Sequence, residues 1–194
     1  MVCFFVFPDS ISDDTVALLE SIIPDWRVRE ASFFLRKSDR KASVLAYFMV
    51  AAGLKAMGLY NGMPQFGYGE FGKPYLMNYD GLEFNISHCR GGVAVCLDSR
   101  SIGLDVEDTL PFDMELARAV CSDRELAEVV SSESPSEAFT CLWTRKEAVM
   151  KYYGTGMCDG DRLKRILCDD SVELRSCRID GGRMFLSLCI GKCK

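Results

Sequence analysis

Two acidic residues in the segment 102–107 have the types and spacing for metal chemistry. Asp105 and Glu107 are two positions apart, and in a β-strand such residues share one face, about 6.5 Å apart along the chain. Two neighbouring carboxylates can bind one divalent cation together. A strand with a solvated acidic face has the same pattern, so the spacing alone leaves the two interpretations about even.

A third carboxylate lies later in the chain, in a segment with helical periodicity. Glu147 comes four residues after Trp143 and four before Lys151, so the three side chains fall on nearly one face of a helix. Glu147 and Lys151 could act together at a site. Taken alone, the pattern favours a surface ion pair worth about 0.3 to 0.5 kcal/mol.

A serine and the only histidine of the chain stand together where a predicted strand ends. The hydroxyl of Ser87 and the imidazole of His88 could both donate hydrogen bonds to phosphate oxygens. A nucleophilic serine would instead need a base and an oxyanion hole, and nothing nearby in the sequence supplies them. Without further context, a structural histidine is favoured about two to one over a functional one.

Basic residues at two places could meet phosphate groups. Lys73 precedes Pro74, which fixes the backbone, and both follow a glycine-rich stretch at 61–72 that predicts an irregular loop. A second group lies just before a predicted helix and in its first turn, where the helix N-terminus also favours anions. This basic cluster consists of Arg36, Lys37, Arg40 and Lys41. A solvated basic surface explains the cluster equally well.

The elements that must position these residues follow from hydrophobic periodicity. Apolar and alternating patterns predict strands at 2–7, 82–87, 93–97, 102–107, 172–177 and 184–190. Helical spacing predicts a helix at 16–23 and two long helices at 39–57 and 135–152. Each half of the chain therefore holds a long helix and several strands, which predicts an α+β protein of two packed halves.

Composition limits the classes of protein that fit. The 194 residues are 48% hydrophobic, enough for a substantial core, and the formal net charge of -5 argues against nucleic-acid or anionic-membrane binding. Ten cysteines occur without a C-x-x-C pair, so zinc is disfavoured and most cysteines are predicted to be reduced, buried side chains. The start lacks the pattern of a signal peptide, and no apolar run reaches membrane-spanning length. We expect a cytoplasmic protein.

Four motifs in order resemble the Sfp-type 4′-phosphopantetheinyl transferases. They are GKPYL, FNISHC, IGLDVED and LWTRKEAVMK, the last followed by GTG. The resemblance covers roughly residues 33–157, and four motifs in family order at plausible separations make coincidence improbable. Trp143 with Lys146-Glu147-Ala148 is similar to the subgroup named for its W and KEA residues.

The resemblance implies an activity and a fold. The 4′-phosphopantetheine arm of coenzyme A is expected to pass to a serine of an acyl or peptidyl carrier protein, releasing adenosine 3′,5′-bisphosphate. The implied fold has two similar α/β halves with pseudo-twofold symmetry, at 1–100 and 101–194, which form one compact unit. The first half would contact the nucleotide and its phosphates, the second would hold the metal and catalytic residues, and coenzyme A would lie between them.

The resemblance also implies roles for the residues above. Asp105, Glu107 and Glu147 would hold Mg²⁺, and Glu147 would act as the base. His88 and Lys151 would contact the pyrophosphate. The nucleotide and its 3′-phosphate would be held by a larger set, namely Arg36, Lys37, Arg40, Lys73, Pro74, Ser87, His88 and Lys151.

The carrier protein is expected to dock at 111–125, directly after the metal strand. Met114, Leu116 and Arg124 could offer apolar and basic contacts there, as could Ala117 and Val120, although packing onto the core is an equally good explanation of the apolar residues. We expect a monomer. The alternatives are another Mg²⁺-dependent phosphotransferase or hydrolase, and a non-catalytic module that binds coenzyme A or a carrier protein.

Overall fold

The computed structural model describes residues 1–192, so the last two residues of the predicted second half lie outside the described part. The helices and strands of the first part of the chain are β1 (Val2–Val6), α1 (Asp13–Ile22), α2 (Asp25–Ser32), α3 (Lys37–Ala56), β2 (Phe66–Tyr68), β3 (Pro74–Leu76), β4 (Glu83–His88) and β5 (Val93–Asp98). The later elements are β6 (Ile102–Asp108), α4 (Met114–Val120), α5 (Asp123–Val130), α6 (Pro135–Tyr153), α7 (Gly160–Leu163), β7 (Val172–Ile179) and β8 (Met184–Gly191). The predicted α+β class is confirmed.

Two three-stranded antiparallel sheets have the same plan. In the first sheet the order is β1-β5-β4, and in the second it is β6-β8-β7. In each case an opening strand is followed by a long helix and then by a hairpin, whose last strand pairs with the opening strand. The six predicted strands all appear, with ends that differ from the prediction by two residues or fewer.

A third, two-stranded sheet corrects one prediction. The glycine-rich stretch at 61–72 is not only irregular loop, because β2 lies within it and pairs with β3. Phe66 in β2 is buried and its ring packs against the rings of Trp26, Tyr47 and Phe84. Burial of this aromatic ring explains why so short and glycine-rich a segment forms a strand.

The hydrophobic core continues from one sheet into the other. The apolar face of β6, formed by Ile102, Leu104 and Val106, packs in one cluster with Ala94 and Cys96 of β5. The same cluster includes Leu188 and Ile190 of β8. These residues are the alternate positions of β6 that the sequence assigned to the core, and their burial turns the two acidic residues of the strand to its other face.

Cysteine behaviour differs in part from the expectation. Cys3 and Cys96, which face each other on β1 and β5, form a disulfide, so the prediction of reduced cysteines is wrong for this pair. Cys121 and Cys189 are free and buried, as predicted. The free Cys89, Cys141 and Cys158 are half-buried and Cys168 and Cys177 are exposed, so the prediction that most cysteines are buried is wrong within residues 1–192. None of the helices within residues 1–192 has the length and apolar character needed to cross a membrane.

Candidate active site

The close approach of α6 to β6 brings the acidic residues together. A Cβ atom added at Gly103 would lie 2.0 Å from the carbonyl oxygen of Ala148 and 2.3 Å from the nitrogen of Tyr152. Only glycine at this position of β6 lets the backbone of α6 lie directly on the strand. The third carboxylate, Glu147 on α6, is consequently placed beside Asp105 and Glu107 on β6.

Asp105, Glu107 and Glu147 form an acidic site. One carboxylate oxygen from each lies within 4.8 Å of the other two. Asp105 is buried, and its Oδ2 atom finds no hydrogen-bond partner within residues 1–192. A buried carboxylate oxygen without a partner, facing two further carboxylates, has the hard oxygen donors that Mg²⁺ takes in proteins. The three residues therefore fit a divalent cation.

Mutual repulsion perturbs the acidic site. Burial, with the nearby charges of Asp105 and Glu147, raises the pKa of Glu107 to about 7, while Lys151 opposes the shift. Burial and the charge of Asp105 also raise the pKa of Glu147, against the effects of Lys151 and of a hydrogen bond from Trp143. Both carboxyl groups therefore ionise less readily than usual, which is the expected result of burying carboxyl groups beside one another.

Lys151 and Ser87 complete a polar network around Asp105. The Nζ atom of Lys151 lies 2.5 Å from Oδ1 of Asp105 and 2.9 Å from Oγ of Ser87. Ser87 donates to the same Asp105 oxygen at 2.9 Å. The predicted pair between Lys151 and Glu147 is present at 3.7 Å, but it is longer than the contact with Asp105. Lys151 therefore belongs to the acidic site and is not only the partner of Glu147 in an ion pair.

His88 ends β4 near the first turn of α3. Partial burial lowers the pKa of His88, the Asp39 carboxylate raises it, and Lys151 lowers it. The residue as a whole is exposed, which limits the effect of burial. His88 therefore lies within electrostatic range of both α3 and Lys151, with an exposed side from which it can reach a ligand.

A cavity joins the acidic site to the loop before β3. It has a volume of about 330 Å³. Its lining includes Lys73 just before β3, Pro74 at its start, Asn85 on β4, and Glu147 and Lys151 on α6. The Nζ atom of Lys73 donates to the carbonyl oxygens of Ile102 at 3.1 Å and of Tyr152 at 3.0 Å. An ammonium group has three donor hydrogens. Lys73 can therefore keep both bonds and still meet a ligand, and its nucleotide role stays a prediction.

The basic cluster lies apart from the acidic site. Lys37 pairs with Asp13 at 3.2 Å, and Arg40 binds both carboxylate oxygens of Glu20, at 2.9 and 3.0 Å. Lys37 and Arg40 line a separate cavity of about 160 Å³. Arg36 is exposed immediately before α3. The contact of the cluster with a 3′-phosphate stays a prediction, and three of its four residues, Lys37, Arg40 and Lys41, already have acidic partners.

The predicted docking segment at 111–125 covers α4 and the start of α5. Ala117 and Val120 are buried, so these two apolar residues pack onto the core. Met114 and Leu116 are exposed at 36% and 45%. Leu116 borders an apolar cavity of about 410 Å³ that reaches Glu107 of the acidic site. The segment therefore combines core residues with an exposed apolar groove beside the carboxylates.

Three residues near the site were not singled out for a role in the sequence. Gly103 allows the close approach of α6, and Asn85 accepts a hydrogen bond from the backbone of β6. Lys146 is fully buried and donates to both oxygens of Glu125 and to the carbonyl oxygen of Leu163. The only signal in the sequence was their position inside the motifs, since their contacts are with residues distant in the chain.

Comparison with known proteins places these residues in a family. A family model described as the 4′-phosphopantetheinyl transferase superfamily matches residues 101–187, which include all three carboxylates and Lys151. Residues 101–187 are therefore similar to this superfamily. The recognition made from the four motifs is confirmed, because curated relatives that match at 26% to 41% identity are also named as phosphopantetheinyl transferases.

Three relatives illustrate the extent of the match. The 4′-phosphopantetheinyl transferase of Bacillus subtilis is 30% identical over 127 residues, which are 64% of this chain and 57% of the relative. The transferase Sfp of Bacillus subtilis strain 168 is 27% identical over 148 residues, 75% of this chain and 66% of the relative. AcpT of Salmonella typhimurium is 41% identical over 98 residues, 47% and 50% of the two chains. The matches thus span less than two thirds of the length of these superfamily members.

Proposed function

We propose that this protein transfers the 4′-phosphopantetheine group of coenzyme A to a serine of an acyl or peptidyl carrier protein. The convergence of Asp105, Glu107 and Glu147 within 4.8 Å, beside Lys151, carries the proposal. Three carboxylates beside the ammonium group of Lys151, at one end of a cavity, suit a pyrophosphate with its metal ion. The names of the relatives support the same activity.

The reaction exchanges a phosphoanhydride bond of coenzyme A for a phosphate ester bond to the carrier protein. The serine oxygen of the carrier protein forms a bond to the phosphorus that bears the pantetheine arm, and the bond from that phosphorus to the bridging oxygen of the pyrophosphate breaks. Adenosine 3′,5′-bisphosphate leaves with the bridging oxygen. The serine proton goes to a base on the enzyme. Such a transfer depends mainly on positioning and on neutralising charge.

The residues of the acidic site divide this work. Glu147 takes the serine proton as the general base, since its carboxylate lines the cavity proposed to receive coenzyme A. Lys151 and His88 donate hydrogen bonds to pyrophosphate oxygens, which neutralises charge on the leaving group. Mg²⁺ held by Asp105, Glu107 and Glu147 would supply further neutralisation of the pyrophosphate charge.

The remaining predicted residues bind the rest of coenzyme A. Lys73, Pro74 and Ser87 contact the nucleotide from the cavity side, and the basic cluster with Arg36, Lys37 and Arg40 meets the 3′-phosphate. The position of Lys73 and Pro74 in the same cavity as Glu147 and Lys151 supports the first contact. For the second, the Asp39 carboxylate in the first turn of α3 raises the pKa of His88, so the start of α3 lies within electrostatic range of another proposed coenzyme A contact, which supports the assignment.

The carrier protein docks at 111–125 in this proposal. The apolar groove bordered by Leu110, Pro111 and Leu116 reaches Glu107, so a helix lying in it would bring its serine to the carboxylates. We further infer a monomer in the cytoplasm, whose halves at 1–100 and 101–194 are related by pseudo-twofold symmetry. The common strand order of the two three-stranded sheets supports the symmetry.

One assay tests the activity directly. The protein is incubated with coenzyme A, Mg²⁺ and an apo carrier protein, and the carrier is weighed by mass spectrometry. We expect a phosphopantetheine-sized gain on serine that disappears when EDTA is added. Release of nucleotide without any carrier would instead indicate a hydrolase, and no gain with several carriers would contradict the proposal.

A further inference from the structure

The edge of β6 that faces the first sheet is held by side chains. One edge of β6 pairs with β8 by backbone hydrogen bonds. Toward β4, the backbone N–H of Leu104 donates to Oδ1 of Asn85 at 2.8 Å, and that of Val106 donates to Oγ of Ser87 at 3.2 Å. Asn85 and Ser87 are both buried. Two side chains of β4 thus replace the backbone acceptors that a neighbouring strand would offer.

Lys73 extends this pattern to the start of β6. Its ammonium group donates to the carbonyl oxygen of Ile102 and also to that of Tyr152 on α6. Lys73, Asn85 and Ser87, here called the side-chain ladder, therefore bond to the backbone at residues 102, 104 and 106. These are alternate positions of one strand, so the ladder follows its period of two.

The side-chain ladder bonds to the residues before and after Asp105, a predicted metal ligand. Asp105 lies between Leu104 and Val106, whose N–H groups are the two that bond to the ladder. The Val106 N–H belongs to the peptide group that follows Asp105, and the Leu104 N–H belongs to the peptide group between Gly103 and Leu104. Fixing the backbone just before and just after Asp105 restricts the direction of its side chain. Metal ligands need such support, because a site only a fraction of an ångström too loose loses affinity.

We propose that Asn85 is a positioning residue of the acidic site, which acts on Asp105 through the backbone N–H of Leu104. Ser87 also bonds to Asp105 itself, and Lys73 also bonds to α6, whereas Asn85 bonds to the strand through Oδ1. Asn85 is therefore the member of the ladder whose substitution tests positioning most cleanly. The inference rests on the proposed function in one respect, namely that Asp105 binds Mg²⁺.

The test compares two substitutions at Asn85 with a matched control. Asn85→Leu keeps the approximate volume and removes the acceptor, while Asn85→Asp keeps an acceptor oxygen in the same place. Asn78→Leu is the control, since Asn78 also accepts a backbone hydrogen bond, from Gln65, but is distant in sequence from the acidic site and lies outside its cavity. Mg²⁺ affinity is measured by calorimetry, and exchange of the Leu104 amide hydrogen is followed by NMR in the metal-free protein.

We expect Asn85→Leu to weaken Mg²⁺ binding by about tenfold or more, as substitutions behind metal ligands do. The Leu104 amide should exchange faster in the same variant. Asn78→Leu should stay within about threefold of the unsubstituted protein in Mg²⁺ affinity. Asn85→Asp should bind Mg²⁺ more tightly than Asn85→Leu, because it keeps an acceptor oxygen and its added negative charge favours a cation. If Asn85→Leu does not fold, Asn85→Ala is judged by the same two measurements.

Two results would overturn the inference. One is unchanged Mg²⁺ affinity in Asn85→Leu, and the other is a loss of affinity in Asn85→Asp as large as in Asn85→Leu, which would show that the acceptor oxygen is not what matters. Neither measurement uses a carrier protein. A protein that binds Mg²⁺ but does not modify any carrier would therefore contradict the proposed function and leave the role of Asn85 intact.

Discussion

The acidic site and the basic cluster are both groups of like charges, but they differ in burial and in their ion-pair partners. Asp105 is 1% exposed and shares its site with two further carboxylates. Lys37 has a side chain 90% exposed and pairs with Asp13, and Arg40 pairs with Glu20. The charges of Lys37 and Arg40 are balanced by nearby acids of the same chain, whereas the three carboxylates of the acidic site share the ammonium group of Lys151. Holding like charges close together without full compensation costs stability. Such a group therefore indicates function more strongly than charged residues that have partners.

The largest effect is expected from Glu147→Gln, which removes the proposed base from the acidic site. Transfer to the carrier should fall by about 10³-fold, within the range for loss of a general base. Coenzyme A binding should largely survive, because Lys151, His88 and the nucleotide contacts remain. Single-turnover rates and calorimetry measure the two quantities. Glu173→Gln is the control on exposed β7, and unchanged turnover in Glu147→Gln would exclude Glu147 as the base.

Gly103→Ala tests whether the acids converge because α6 lies on β6. The added methyl group would lie 2.0 Å from the carbonyl oxygen of Ala148, and such overpacking costs about 1 to 3 kcal/mol of unfolding free energy. Urea unfolding measures the loss, and Mg²⁺ affinity should fall with it. Gly69→Ala is the control, since its nearest contact would be an ordinary 3.5 Å. Equal stability of the two variants would contradict the close packing.

Glu107→Gln should stabilise the metal-free protein in alkaline solution. The pKa of Glu107 is raised from 4.5 to about 7, so its contribution to stability is present below pH 4.5 and is lost as the pH rises through 7. Removing the charge should recover about 1 kcal/mol at pH 8, after allowing for solvent screening of a partly exposed group.

Thermal melts in EDTA at pH 5 and pH 8 check this prediction. The gain should be smaller at pH 5, where Glu107 is mostly protonated in the folded protein. With Mg²⁺ present at pH 8, the sign should reverse, because the substituted protein has one metal ligand fewer. An equal gain at both pH values would show that repulsion among the carboxylates is not its cause.

The smallest effect is expected in the basic cluster, from Arg40→Met. If Arg40 meets the 3′-phosphate, it must share its guanidinium with Glu20, so we expect coenzyme A to bind only about threefold more weakly, as for a partly exposed ion pair. Binding of dephospho-coenzyme A should not change. Arg175→Met, which breaks an exposed pair with Glu173, is the control. Equal effects on both ligands would remove Arg40 from the 3′-phosphate site.

Sequence patterns predicted the elements of the site well where they were long and regular. The alternation in β6 identified both its buried face and its acidic face, and the helical spacing of Trp143, Glu147 and Lys151 was correct. The hairpin of β2 and β3 and the helix α2 were missed, since three- and eight-residue elements give little periodicity.

Contacts between distant residues could not be predicted in the same way. Asn85 and Lys73 were visible in their motifs, but their partners on β6 and α6 are set by how closely the elements pack. The resemblance to a family predicted that the three carboxylates lie in one site. It could not show that residues predicted to contact a ligand also bond to the backbone of the metal strand, because that depends on the packed structure.

Because Lys146 is buried, chemical labelling of its amine would report local opening of the helices around it. Its amine is 0% exposed and bonded to Glu125 on α5 and to Leu163 on α7, while the amine-bearing side chain of Lys37 is 90% exposed. An amine-reactive label should therefore modify Lys37 in the native protein within its ordinary reaction time. It can reach Lys146 only when α5 and α7 separate from α6, so the slow labelling of this one lysine would time how often the helices beside Glu147 come apart.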